Sequence, residues 1–231
     1  MQKELEKSDK LVSIIIPTRL RVHLIEKALN SIIETVNIRD RIEVLIRFDD
    51  DDMDSIVKFL QLKVLQQLDV RVFVGPRHRY LHLNDYFNEL CKYSIGDFIF
   101  AIADDCVIKT MHWDNLIEAF SDQAVVLRSN VQGVNSDVIN ACPILSRKVY
   151  NILGHFAPTT ASHGDNYIRA YGKAVGIERP VNILIEHCWP EEDEVMRDRD
   201  EDVKISSPKY NSSEIQTQLQ QDIIKLKEAL Q

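Results

Sequence analysis

Two adjacent carboxylates, Asp104 and Asp105, close a strongly apolar run, Gly96-Asp97-Phe98-Ile99-Phe100-Ala101-Ile102-Ala103. The run is rich in β-branched and aromatic residues and has turn-prone flanks, which predicts a buried strand. Acids at the carboxyl end of such a strand stand where open α/β sheets bind ligands. Side by side they repel one another unless a cation or hydrogen-bond donors offset the charge. A divalent metal carrying a diphosphate does so, because Mg²⁺ and Mn²⁺ take hard oxygen ligands. Taken alone, the stretch also reads as a solvated acidic turn.

Two other strand ends carry polar residues suited to the same ligand. The apolar run Leu11 to Ile16 stops at Pro17-Thr18-Arg19, and Ile42 to Phe48 ends in Asp49, Asp50, Asp51 and Asp52. Helical spacing over Leu24 to Val36, Met53 to Leu68 and Leu83 to Tyr93 separates these runs and a further strand, Val70 to Val74. Strands alternating with helices of this length predict βαβ units and a mostly parallel sheet flanked by helices. In such a sheet all three strand ends lie on one edge. No GxGxxG or P-loop follows the first strand, which argues against a dinucleotide fold of the usual kind.

Past Asp105 the pattern changes. Short helices are predicted at Trp113 to Phe120, Arg147 to Leu153 and Asp165 to Gly172 or Val175, the last flanked by Gly164 and Gly176. Strands are predicted at Ala124 to Leu127, Val138 to Leu145 and Val181 to Ile185, the last leading to His187. From Pro190 to Asp202, Glu and Asp dominate, which predicts a mobile loop or linker, or else a lid whose Arg197 and Arg199 meet phosphate. Ser213 to Leu230 is an amphipathic helix, striped by Ile215, Leu219, Ile223, Leu226 and Leu230, that packs on the domain or pairs with a second copy. The domain reading is 1–189 catalytic (11–110 nucleotide-binding, 111–189 acceptor), 190–212 acidic linker or lid, and 213–231 terminal helix.

The chain has 231 residues and a net charge of −8, which disfavours broad binding to nucleic acid or anionic lipid. No apolar stretch approaches a membrane span, and the charged first ten residues hold no signal core. Cys91, Cys106, Cys142 and Cys188 form no CxxC pair and read as reduced thiols of a cytoplasmic protein.

The segments Ser13-Ile14-Ile15-Ile16-Pro17-Thr18, Glu43 to Asp50, Leu83-Asn84-Asp85-Tyr86-Phe87-Asn88-Glu89-Leu90 and Gly96 to Asp105 stand in a telling order. In that order the chain resembles family 2 glycosyltransferases with the GT-A fold. It is most similar to short forms from bacteria and tailed phages, through Gly75-Pro76 and Trp113-Asp114. The resemblance implies metal-dependent, inverting transfer of a sugar from a nucleotide donor, UDP-linked by preference, to a hydroxyl acceptor. The acceptor is left open among polysaccharide, lipid-linked sugar, protein and a modified DNA base. The alternatives are a sugar nucleotidyltransferase, which usually has a glycine-rich first loop absent here, and a non-catalytic nucleotide-sugar or partner-binding module.

The resemblance also implies roles. Asp105 and His187 would ligate Mn²⁺ or Mg²⁺, and Asp104 would contact the ribose or a metal-bound water. Asp50, with Asp49, would accept a hydrogen bond from the base, with Pro17, Thr18 and Arg19 lining its pocket and Asn84 on the donor side. Arg19, where many relatives carry an aromatic, can stack on a base. Arg77, His78 and Arg79 would approach the diphosphate or form an exposed basic turn. Asp51 and Asp52 read as caps of the following helix. Asp165 would be the catalytic base or a helix cap, and it follows Gly164 where relatives often have Glu. His163 is a second candidate base, His155 and Asn166 are weaker site residues, and Phe87, Phe98 and Met111 read as core.

Overall fold

Leu11 to Ile16 is apolar except at Ser13, as a strand covered on both faces requires. It opens β1 (Val12–Thr18), which lies inside the sheet between β2 (Ile42–Asp49) and β4 (Phe98–Ala101), both parallel to it. The computed structural model describes residues 9–136, 139–159, 163–188 and 194–231. Residue 138, where a strand was expected to begin, and residues 190–193 of the acidic stretch lie outside the described residues.

β3 (Asp69–Gly75) pairs parallel with β2. Beyond β4 the direction reverses. β7 (Pro143–Ser146) runs antiparallel to β4, and β6 (Val126–Val131) antiparallel to β7. β8 (Glu178–His187) is parallel to β6, and β5 (Cys106–Ile108) closes the sheet antiparallel to β8. The order across eight strands is β3-β2-β1-β4-β7-β6-β8-β5. These directions bring the ends of β1, β2, β4, β6 and β8 and the start of β5 to one edge.

The helices α1 (Val22–Thr35), α2 (Met53–Phe59) and α4 (Trp113–Glu118) contribute to one apolar layer, and α3 (Leu83–Tyr93), α5 (Arg147–Leu153) and α6 (Gly164–Val175) to the other. Trp113 is fully buried, and the buried Asp114 carboxylate accepts the Asn37 and Ile38 N–H groups at 2.8 and 3.1 Å. The Trp-Asp pair therefore ties α4 to the chain leaving α1. Gly96 is obligatory for packing: a Cβ there would come within 2.6 Å of the Ser13 nitrogen.

Three expectations change. The helix expected over Met53 to Leu68 stops at Phe59. There i→i−3 bonds from Gln61 and Leu62 take over, and a 3-10 turn at Lys63–Gln66 lets Leu62, Leu65 and Leu68 pack on the core. The described part of the acidic stretch lies in a helix, α7 (Glu194–Tyr210), where an irregular loop or linker was expected. Its anchor is Asp202, which is buried and accepts the Leu81 N–H at 3.1 Å and Arg79 Nε at 3.3 Å. Met111, expected in the core, is exposed. Of the two readings for the last helix, α8 (Ser213–Ala229) shows the first. Ile215, Leu219, Ile223 and Leu226 are buried in the same apolar layer as Val149 and Ile168.

Candidate active site

The carboxyl edge opens into a cavity of about 410 Å³. Its floor is the end of β4, Ala101 to Asp105. Pro17, Thr18 and Arg19 enter from β1, Asp49 from β2, Arg77 from the loop after β3, Asn84 from α3, Asp165 from α6 and His187 from β8. Sequence reasoning named all of these, and they come from segments far apart in the chain.

Asp104 is buried, accepts the Thr18 hydroxyl at 2.7 Å and lies 3.6 Å from Arg21 Nη1. Burial, and then the neighbouring Asp105 charge, push its carboxyl up to about 7 against the pull of Arg21 and Thr18. Burial likewise raises Asp105, opposed chiefly by His187, whose Nε2 is 3.4 Å from Asp105 Oδ1. Burial lowers His187, favouring the neutral imidazole. Ligand atoms of Asp105, Cys106 and His187 lie within 4.8 Å of one another. A neutral imidazole beside a buried carboxylate is a donor set that fits Mn²⁺, so the residues present suit the divalent ion that the fold family implies.

At the other end, Asp49 Oδ1 accepts the Tyr86 hydroxyl at 2.8 Å, and Oδ2 lies 3.4 Å from Arg19 Nη1. Burial raises the Asp49 carboxyl, opposed first by Tyr86. Asp50 differs from expectation. It follows the last β2 residue, is exposed and does not line the cavity, because the turn bonds its N–H to the Gly75 carbonyl at 2.8 Å. The expected caps differ too: Asp51 pairs with Arg19, and Asp52, although at the N-cap position, accepts the Leu20 N–H at 2.7 Å instead.

Asp165 lines the cavity at the start of α6, and burial raises its carboxyl. His163 does not line it; its ring packs near Tyr210, with centroids 5.7 Å apart. His155 points away altogether, with Nε2 3.0 Å from Asp222 Oδ2 under α8. His78 pairs with Glu89 at 2.7 Å, while Arg77 and Arg79 reach the cavity.

A family model for glycosyl transferase family 2 matches residues 13–171, well over half of the chain. The chain belongs to that family. Among curated proteins, none matches the sequence. Its fold is that of GT-A glycosyltransferases. The mannosyltransferase PcManGT of Pyrobaculum calidifontis, solved with GDP-Man and Mn²⁺, superposes with a TM-score of 0.64 at 15% identity, covering 94% of this chain and 68% of that one. S. aureus TarS 1–349 with UDP-GlcNAc gives 0.60 at 15%, covering 92% and 70%. The chain spans 40% of the longer TarS chain.

In this family 2 glycosyltransferase, several cavity residues escaped the sequence reading. Arg21, Tyr86 and Phe156 sit inside motifs or loops without a spacing signal of their own. Met196 and Arg199 come from α7, where only the lid alternative foresaw an arginine at the site. Among the described residues, five arginines (Arg19, Arg21, Arg77, Arg79, Arg199) and four aspartates (Asp49, Asp104, Asp105, Asp165) line the cavity of a chain whose net charge is −8. That local basic excess suits an anionic ligand.

Proposed function

We propose that the chain transfers a sugar from a nucleoside diphosphate donor to a hydroxyl acceptor, with inversion, using a divalent cation held by Asp105 and His187. One observation carries this reading: Asp104, Asp105 and His187 share a single cavity with Asp49 at one end and Asp165 on another wall. The solved structures of like fold support it, one holding GDP-Man with Mn²⁺ and another UDP-GlcNAc.

Asp49 replaces Asp50 as the acceptor for the base. Tyr86 engages its Oδ1 and Arg19 its Oδ2, which leaves a single lone-pair direction on the cavity side for one N–H in this reading. Uracil offers one imide N–H, whereas guanine offers two adjacent donors, so a UDP-sugar is the donor of first choice. Arg19 and Arg77 flank the diphosphate and Arg21 steadies Asp104. Bound Mn²⁺ or Mg²⁺ supplies Lewis-acid neutralisation of the leaving group. Asp165 takes the proton of the acceptor hydroxyl. A raised carboxyl is a better base for that task, and one base is enough for direct displacement.

The test is a panel of nucleotide sugars with and without Mn²⁺, reading nucleoside diphosphate release and thermal stabilisation. Release of UDP that needs the ion and falls at least a hundredfold in Asp105→Asn is the expected result. Release of pyrophosphate, or no stabilisation by any donor, refutes the reading.

A further inference from the structure

The β5–β8 register sets Cys106 directly opposite His187. Cross-strand neighbours share one face of a sheet, so thiol and imidazole point to the same side. Asp105 completes the group. Cys106 Sγ is 3.9 Å from Asp105 Oδ1, that oxygen is 3.4 Å from His187 Nε2, and one ligand atom from each of the three residues lies within 4.8 Å of the other two. A tetrahedral zinc ion, with bonds of about 2.0 Å to N and O and about 2.3 Å to S, holds its ligand atoms about 3.3–3.7 Å apart. The side chains stand within a few tenths of an ångström of that arrangement along both measured edges. Asp105 and His187 also line the cavity, so a fourth position faces it.

We propose that Asp105, Cys106 and His187 form a site for a thiophilic divalent cation of the zinc class, with the Cys106 sulfur as a ligand. The bland reading of Cys106 is a buried core thiol, and it does lie in the apolar layer, 1% exposed, with its Sγ 3.8 Å from that of Cys142. The hard-ion reading already uses Asp105 and His187; what it leaves unused is a sulfur 3.9 Å from Asp105 Oδ1 and in register opposite His187. On binding, the S–H bond breaks, its proton leaves to buffer and a sulfur–metal bond forms, with no change of oxidation state. Divalent zinc outranks Mn²⁺ at such nitrogen and sulfur donors, so it competes with the hard ion for Asp105 and His187. The inference rests on the proposed function only through these two shared ligands.

The experiment titrates the metal-free full chain with Cd²⁺, without donor or acceptor, and reads the thiolate-to-cadmium charge-transfer band. A band saturating at one equivalent is expected in the unaltered chain, retained in Cys142→Ser and Cys188→Ser, absent in Cys106→Ser and abolished by excess Zn²⁺. No band in the unaltered chain, a band that survives Cys106→Ser, or one that follows Cys188 overturns the proposal. X-ray absorption of the zinc-loaded, unaltered chain needs no variant: one sulfur in the metal's shell supports the site, and an all-nitrogen-and-oxygen shell refutes it. Failure here leaves Mn²⁺-dependent donor turnover untouched. Conversely, a cadmium band in a chain that turns over no donor refutes only the transfer reading.

Discussion

Replacing Asp222 should undock the C-terminal helix. The carboxylate is buried between α8 and the domain, with every oxygen engaged. Oδ2 accepts the Tyr167 hydroxyl at 2.5 Å and faces His155 Nε2 at 3.0 Å, and Oδ1 accepts Gln218 Nε2 at 3.0 Å. Truncation to Ala strips Tyr167 and Gln218 of their acceptor and removes the carboxylate that faces His155. Each buried donor left unsatisfied costs about 1–3 kcal/mol, and breaking a buried charged cluster costs about 3–5 kcal/mol in total. That is about a fifth or more of the stability of a typical domain, at about 5–15 kcal/mol. Asp222→Asn keeps one acceptor oxygen and should lose about half as much. His155, Tyr167 and Gln218 hold the folded carboxyl below its ordinary value against burial, with Tyr171 close by. A depressed folded pKa stabilises above the unfolded value of about 3.9, and the gain is lost as pH falls through the folded value. The difference between the unaltered chain and Asp222→Asn should therefore hold from pH 7 to about 4.5 and shrink below about 4. Urea unfolding followed by circular dichroism across that range measures both quantities. A loss under about 1 kcal/mol for Asp222→Ala, or a difference that grows on acidification, would refute the reasoning.

Other consequences concern the cavity. Asp165→Asn should keep donor-induced thermal stabilisation while turnover drops by about 10²–10⁴-fold; equal loss of both would remove Asp165 from the base role. A Cβ on Gly164 would fall well inside contact distance of Asn84 Oδ1 and 3.3 Å from the Ala157 Cβ. Gly164→Ala should thus cost about 1–3 kcal/mol in urea unfolding, with part regained in the double variant with Asn84→Ala. Asp202→Ala should free α7 from Leu81 and Arg79, raising donor KM several-fold with a smaller fall in kcat and faster amide exchange along α7. Unchanged exchange would show that α7 is held by other contacts.

The β1–β2–β4 end of the sheet was legible because its signals are local and strong. Largely apolar runs at β1, β2 and β4, interrupted at Ser13, Glu43 and Arg47 and each ended by polar residues, mark both strand and edge, and Thr18, Asp49, Asp104 and Asp105 meet in one cavity. His187 was reachable because a strand led to it. Which of Asp49 and Asp50 faces inward depends on the turn bond to Gly75, a contact between strands that spacing does not encode. β5 is three residues long, too short to show a period. The helix α7 carries a polar sequence that is held by tertiary contacts such as those of Asp202 with Leu81 and Arg79, so composition pointed to a loop. His163 and His155 looked alike in sequence, yet one turns toward Tyr210 and the other toward Asp222.

The reversal of strand direction after β4 divides labour in this edge. The ends of β1, β2 and β4 meet the cavity there, and Val134, Ile139 and Ala141, which lie between β6 and β7 in the chain, line it as well. Insertions or exchanges between β6 and β7 would leave the β1–β2–β4 register untouched. Under the proposed function, acceptor choice can therefore diverge among descendants of this sequence while the β1–β2–β4 end stays as it is.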